Sequence, residues 1–199
     1  MKLYPHYVVV GFSNSYLISG KESSQAVIID PGRFDAKMLS LIENNKLKIC
    51  AILLTNSNKS HVSGIKTLLK IYDAKIYSYH ASIVGIKTIP VRDRQQIKCG
   101  DLTFTVIETP GHSADSVVYR LGNWLFTGDT LSAGLTGTTP HLQAHILQLK
   151  KIREKLLPLG DELIVFPGHG PPSRLGLERR FNVMLNELCP RARSNLSFF

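Results

Sequence analysis

Three histidines and one aspartate stand where their side chains could share a cation: His61, His112, Asp129 and His169. Each sits in a short polar loop that follows a β-like run, within residues 55–64, 109–113, 127–130 and 167–171. Loops held by a rigid scaffold are where binding and catalytic groups concentrate. Neutral imidazole with carboxylate is a donor set suited to zinc, iron or manganese. Taken singly, a Pro-Gly-His turn is punctuation, and a lone histidine is more often structural than a ligand. Four loops of one kind, each closing a strand, point to one shared centre.

Other candidates carry less. His141 and His145 lie one helical turn apart and could pair on a metal, but a solvated face or a cleft wall accounts for them as well. His80 follows a strand and reads as surface, and Trp124 reads as core. Arg174, Arg179 and Arg180 follow the last loop as solvated charges, or as groups that steer an anionic substrate.

The elements that must position these loops are legible as apolar runs. Residues 7–11, 15–19 and 26–30 are β-like, and the last ends at Asp30-Pro31-Gly32, which must turn. Residues 49–54, 74–78, 102–107, 116–120, 124–127 and 163–166 read as further strands. Helical spacing starts at Asp35, with Met38, Leu41 and Ile42 on one face, and recurs over 61–72, with Ile65, Leu68 and Leu69 inward. A long amphipathic helix is expected over 141–157, carrying Leu142, Ile146, Leu149, Ile152 and Leu156, and a terminal helix over 177–188. Strands and helices in this order predict a layered α/β protein.

The chain has 199 residues, 43% of them hydrophobic and 20% charged, as in an ordinary soluble globular protein. This predicts one domain over residues 1–190 with a short tail over 191–199. No run approaches the ~20 apolar residues that span a bilayer, and the first residues lack a secretion signal's apolar stretch. Cys50, Cys99 and Cys189 are far apart and odd in number, so neither a disulfide framework nor a thiolate zinc knuckle is expected, and a reducing cytosol is the simplest compartment. The net charge of +9 is scattered over helix faces without a nucleic-acid motif. It fits solvated surfaces first, a small anionic substrate next, and nucleic acid last.

The series Asp30-Pro31-Gly32, Thr55…His61-x-x-Gly64, Thr109-Pro110-Gly111-His112-Ser113, Phe126-Thr127-Gly128-Asp129-Thr130 and Pro167-Gly168-His169-Gly170-Pro171 resembles the metallo-β-lactamase superfamily in order and spacing. Within it the chain is similar to small glyoxalase II-like hydrolases, to which residues 152–157, Gly176, Glu178-Arg179-Arg180 and Asn182 also correspond. The resemblance implies a four-layer αββα sandwich with the site along one edge of the sheets. Glyoxalase II enzymes carry a further helical domain that holds glutathione; here only about thirty residues follow His169, enough for a single helix.

The resemblance also marks three departures. The family's first metal loop is T-H-x-H-x-D-H, whereas this chain has Asn56, Asn58 and Ser60 in place of its two histidines and aspartate, and keeps only His61. In the family, positions 56, 58 and 112 hold one metal, positions 60, 61 and 169 hold a second, and position 129 bridges them. An amide oxygen is a weak donor beside an imidazole nitrogen, so the first site should stay empty. His61, Asp129 and His169 remain as a two-histidine, one-carboxylate set for a single divalent metal (zinc, iron or manganese), with His112 able to swing in as a fourth ligand. Asn56, Asn58 and Ser60 also suit a turn and a helix N-cap. The expected activity is metal-dependent hydrolysis of small acyl thioesters or esters through His61 and Asp129, reduced or lost because water activation between two metals is gone. The alternatives are a metal-free, non-catalytic scaffold and an anion-binding protein.

Overall fold

In the computed structural model, which describes residues 1–9, 11–21 and 23–186, the apolar runs become two facing sheets. The first half supplies β1 (Lys2–Val8), β2 (Ser13–Ser19), β3 (Gln25–Ile29), α1 (Ala36–Asn44), β4 (Lys48–Leu53), α2 (Lys59–Val62), α3 (Ile65–Leu68), β5 (Lys75–Ser78), a small hairpin of β6 (Ser82–Ile83) and β7 (Ile86–Lys87), and β8 (Ile89–Pro90). The second half supplies β9 (Gln96–Cys99), β10 (Leu102–Glu108), β11 (Val117–Leu121), β12 (Trp124–Gly128), the hairpin of β13 (Leu131–Ser132) and β14 (Leu135–Thr136), α4 (Leu142–Lys151), β15 (Ile164–Pro167), β16 (Ser173–Arg174), α5 (Leu175–Phe181) and α6 (Val183–Asn186). One sheet has the order β1-β2-β3-β4-β5-β8 and the other β16-β15-β12-β11-β10-β9.

Strand alternation builds the layers. On β3, Val27 and Ile29 face the other sheet, while Ala26 and Ile28 face α1, α2 and α3. On β11, Val117, Tyr119 and Leu121 point between the sheets, and Val118 points to the layer of α4 and α5. Both faces of each central strand are covered, so these strands read as unbroken apolar runs, as expected where β3, β4 and β5 run parallel under helices. The result is the four-layer αββα sandwich that the sequence implies.

Several local expectations change. The helix foreseen over 61–72 is broken into α2 and α3 at Gly64, where a Cβ would lie 2.6 Å from the Phe34 nitrogen and 2.9 Å from the Pro31 oxygen. The helix over 141–157 is α-helical to Lys151, then widens to a π-helical turn over Ile152–Leu156, from which Lys155 Nζ reaches Asp93 Oδ1 at 2.8 Å and the Glu108 carbonyl at 2.9 Å. Leu149, Ile152 and Leu156 are buried as expected, but Leu142 and Ile146 are exposed, since α4 buries only its last turns. The terminal helix starts at Leu175 and is interrupted at Asn182; residues 187 and 188 of that reading, and the tail over 191–199, lie outside the described residues. β9 and β16, short strands at the far edge of each half of the second sheet, were not foreseen.

The cysteines require a correction. Cys50 on β4 and Cys99 on β9 meet across the sandwich as a disulfide, their Cα atoms 6.6 Å apart and 49 residues apart in sequence. No local pattern announces such a pair, because only the stacking of the sheets creates it. The cysteine-based argument for a reducing compartment therefore lapses. A crosslink closing a loop of this length stabilises by about 4 kcal/mol through the unfolded chain. Reduction should accordingly lower the melting temperature by about 10 °C. Calorimetry with and without reductant checks this; Cys50→Ser should melt like the reduced protein and be insensitive to reductant.

Candidate metal centre

Every loop that carries one of these histidines or the aspartate leaves the same edge of the sandwich. β3 ends at Asp30, β4 delivers the loop with Asn56, Asn58 and His61, β10 leads to His112, β12 to Asp129 and β15 to His169. Bonds between the sheets hold these ends in register. The Val117 nitrogen donates to the Thr55 carbonyl at 2.8 Å, and the Tyr119 hydroxyl to the Leu54 carbonyl at 3.0 Å. On the far side, the Tyr16 hydroxyl and Asn14 Nδ2 donate to the Pro167 carbonyl, at 2.7 and 3.0 Å, and so carry the His169 loop from the first sheet.

The Asp129 carboxylate is the hub. Its Oδ1 is 2.6 Å from His169 Nδ1. Its Oδ2 lies 3.1 Å from His61 Nε2 and 3.2 Å from His112 Nε2, and accepts from Asn56 Nδ2 at 3.0 Å and Asn58 Nδ2 at 3.1 Å. Donor atoms of His61, Asp129 and His169 all fall within 4.8 Å of one another, and the His61 and His169 rings stand edge to face at 5.4 Å. Gly168 permits this closeness, since a Cβ there would come 2.4 Å from His61 Cε1.

His112 reaches the same carboxylate and is held at both ring nitrogens. Its Nδ1 lies 2.7 Å from the Thr138 carbonyl and its Nε2 2.7 Å from Asn58 Nδ2. A carbonyl only accepts, so Nδ1 carries the hydrogen; in the neutral ring Nε2 offers its lone pair to the amide, and in the protonated ring its N–H faces Asp129 Oδ2. The ring is pinned rather than free to swing. The cap reading of Asn58 also fails: it occupies the N-cap position of α2 without a side-chain cap bond, because its amide is committed to Asp129 and His112. Asn56 does make a turn bond, its Oδ1 accepting from the Asn58 nitrogen at 2.9 Å. Ser60 joins through its backbone, its carbonyl accepting from Ser13 Oγ at 2.9 Å.

Asp30 is the group that residue-by-residue reading passed over. It is buried, with φ of 49°, a left-handed conformation that aspartate tolerates. Its carboxylate accepts from the Thr55 nitrogen at 2.8 Å and Thr55 Oγ1 at 2.7 Å, and its Oδ2 sits 2.8 Å from His61 Nδ1. A polar residue closing a buried strand before Pro31 was the available signal. His141 serves as the N-cap of α4, its Nδ1 accepting from the Ala144 nitrogen at 3.1 Å. His80 is half-exposed and 3.6 Å from Asp115.

The electrostatics follow the geometry. Burial penalises the charged Asp129, yet the three surrounding imidazoles overcome that and hold its carboxyl far below the usual range. Burial likewise disfavours a charged His61, but Asp30 and then Asp129 outweigh it and push the imidazole up to about 10. His112 is raised by Asp129 against its own desolvation.

The residues fit a single divalent cation. His61 is fully buried, and neither ring nitrogen is aligned with a partner well enough for a hydrogen bond, although carboxylates lie close to both. A carboxylate behind one imidazole nitrogen, orienting the other at an open coordination position, is the arrangement found behind metal-ligating histidines. Asn56 and Asn58 present N–H groups toward Asp129, which repel a cation, so the fit covers His61, Asp129 and His169 rather than the first-site positions.

Comparison with known proteins agrees with this layout. Residues 8–169 match the model of the metallo-beta-lactamase superfamily. A hydroxyacylglutathione hydrolase of Francisella tularensis subsp. novicida is 37% identical over 158 residues, 77% of this chain and 61% of that one. Its counterpart in Tolumonas auensis is 31% identical over 164 residues, 78% of this chain and 61% of its own. The chain therefore spans about three fifths of the length of these hydrolases. Among solved structures, a protein in a di-iron-bound form is 30% identical with a TM-score of 0.78, covering 92% of this chain and all (100%) of that one. ETHE1 from Myxococcus xanthus is 25% identical with a TM-score of 0.84, covering 96% and 93%.

Proposed function

Because the chain belongs to the metallo-beta-lactamase superfamily, we propose that it is a glyoxalase II-like, metal-dependent hydrolase of small acyl thioesters or esters, working with one cation and at much reduced rate. The observation that carries this reading is the convergence of His61, Asp129 and His169 within 4.8 Å beside Asn56 and Asn58. The identity to hydroxyacylglutathione hydrolases supports the substrate class, and the di-iron relative supports a metal.

In this reading His61, Asp129 and His169 hold the cation, which when bound would polarise a carbonyl and lower the pKa of water. Asp30 fixes the His61 ring through Nδ1. Asn56 and Asn58 hold Asp129 Oδ2 by hydrogen bonds where the family places a second cation's charge. Position 60 is serine, so no carboxylate stands there to orient water. These losses fall on nucleophile activation, the step that two-metal sites share between their ions.

A second reading, a non-catalytic scaffold, is favoured by one feature: the asparagine amides satisfy Asp129 and His112 without any ion. Elemental analysis of the purified protein with melting curves before and after chelation separates the two. The hydrolase reading expects about one equivalent of zinc, iron or manganese, a lower melting temperature after chelation, and measurable thioesterase activity well below ~10⁴ M⁻¹s⁻¹. Sub-stoichiometric metal with no effect of chelator would establish the scaffold. Efficient zinc-dependent thioester cleavage would overturn the claim of impairment.

A further inference from the structure

Glu178 and Asn182 stand outside the metal centre, on α5 and at its junction with α6. Both are buried: Glu178 is 2% exposed and Asn182 0%. The Glu178 carboxylate accepts from the Gly134 nitrogen at 3.2 and 3.1 Å, from Ser173 Oγ at 2.6 Å and from Asn182 Nδ2 at 2.7 Å. Asn182 Nδ2 also donates to the Leu135 carbonyl at 3.0 Å. Among the described residues no cation pairs with Glu178, so this buried carboxylate depends on these neutral donors. Gly134 lies in the turn of the β13–β14 hairpin and Leu135 opens β14. The middle of α5 and its junction with α6 therefore hold the hairpin at two successive residues.

The chain leaving the hairpin runs straight into the metal centre. A Cβ at Gly137 would lie 2.0 Å from the Asp129 carbonyl and 2.9 Å from His112 Nδ1, so this segment has no slack. The next residue, Thr138, places its carbonyl 2.7 Å from His112 Nδ1. We propose that Glu178, with Asn182, is a positioning residue: by holding the hairpin it sets the Thr138 carbonyl against His112 and fixes that ring with the hydrogen on Nδ1 and the lone pair of Nε2 facing Asp129. The consequence for metal binding rests on the hydrolase reading above; the consequence for the imidazole does not.

The two are measured separately. In ¹⁵N-labelled, chelated protein, long-range ¹H–¹⁵N correlation of the His112 ring, assigned with His112→Asn, reads the tautomer directly. Read at a pH alkaline enough for the ring to be neutral, the wild type should show the Nδ1–H form. Glu178→Gln, which turns one acceptor of the carboxylate into a donor, should shift the ring toward a mixture and, because His112 Nε2 lies 3.2 Å from the ligand Asp129 Oδ2, weaken Mn²⁺ binding by about 10-fold, the low end of the range for a disturbed group behind a ligand. Asn182→Ala should do the same, and it decides the matter if Glu178→Gln does not fold. Ser173→Ala, which leaves both hairpin contacts in place, should keep the wild-type ring signal. A lower melting temperature in Glu178→Gln and Asn182→Ala with unchanged tautomer would reduce the pair to a structural role and overturn the proposal. A wild type that binds no Mn²⁺, zinc or iron would sink the metal reading, while the ring signal would still decide the positioning.

Discussion

Asp129→Ala is expected to abolish divalent-metal binding and to destabilise the metal-free fold by about 3–5 kcal/mol, the usual cost of removing one partner from a buried charged group. The carboxylate accepts from, or lies against, His61, His112, His169, Asn56 and Asn58 at once. Without it, five nitrogen groups at the sandwich edge lose their common partner, and a cation loses its carboxylate ligand, Asp30 remaining only behind His61. Removing a group merely behind a ligand costs 10–100-fold in affinity, so losing the shared ligand should exceed ~100-fold. Titration calorimetry with Mn²⁺ and Zn²⁺ gives the first quantity and denaturant unfolding the second. Asp129→Asn keeps the shape while removing the charge; if it binds metal as the wild type does, the cluster is not the site.

The same cluster predicts opposite pH slopes with and without metal. In the metal-free protein the His61 pKa is raised from 6.5 to about 10, so its stabilisation is full below pH 6.5 and is lost as pH rises toward 10. Asp129 is depressed below 3.8, so its contribution is full above that value and fades only as pH falls further. Chelated protein should therefore be most stable between about pH 4 and 6.5 and weaken on the alkaline side. Metal needs deprotonated imidazoles, so the gain on adding Mn²⁺ should instead grow from pH 6 to 8. Asp129→Ala should show no such metal-dependent rise. Melting curves over this range with and without chelator test both slopes.

The parts of the molecule legible in the sequence are those set by local repetition or by residue type. β3 and β4 declare themselves because both faces are covered, and His61, His112, Asp129 and His169 because glycine- and proline-rich turns place chemical groups after strands. What stayed hidden depends on contacts between distant segments. Nothing near Cys50 points to Cys99 until the sheets stack. Gly64 reads as a tolerated interruption of a helix until Pro31 and Phe34 press against it. The Thr138 carbonyl, which orients His112, belongs to the backbone and carries no residue-type signal at all. Asn58 was readable in two ways, as cap or as altered ligand, and side-chain hydrogen bonds decide between them only once Asp129 is in place. The buried Glu178 was visible only as part of a family resemblance; the hairpin it holds is what gives it physical content.

Reverting the loop, with Asn56→His, Asn58→His and Ser60→Asp together, should raise the metal content from about one equivalent to about two. The change swaps two N–H donors that face Asp129 for two imidazole lone pairs, and it adds an anion at position 60. His112 is already turned the right way, since the Thr138 carbonyl keeps hydrogen on Nδ1 and leaves Nε2 for a cation once Asn58 releases it. One obstacle is steric: a Cβ at Gly11 would lie 3.3 Å from Ser60 Cβ, so the β1–β2 turn sits close over the new carboxylate and must yield slightly. A second cation restores shared activation of water, and the rate of thioester cleavage should rise by at least about 10²-fold, the low end of what positioned proton transfer contributes. Elemental analysis and a thioester panel on wild type and revertant give the answer. If the revertant binds no more metal than the wild type, residues 56, 58 and 60 do not occupy the family's ligand positions, and the impaired-site reading falls with that assignment.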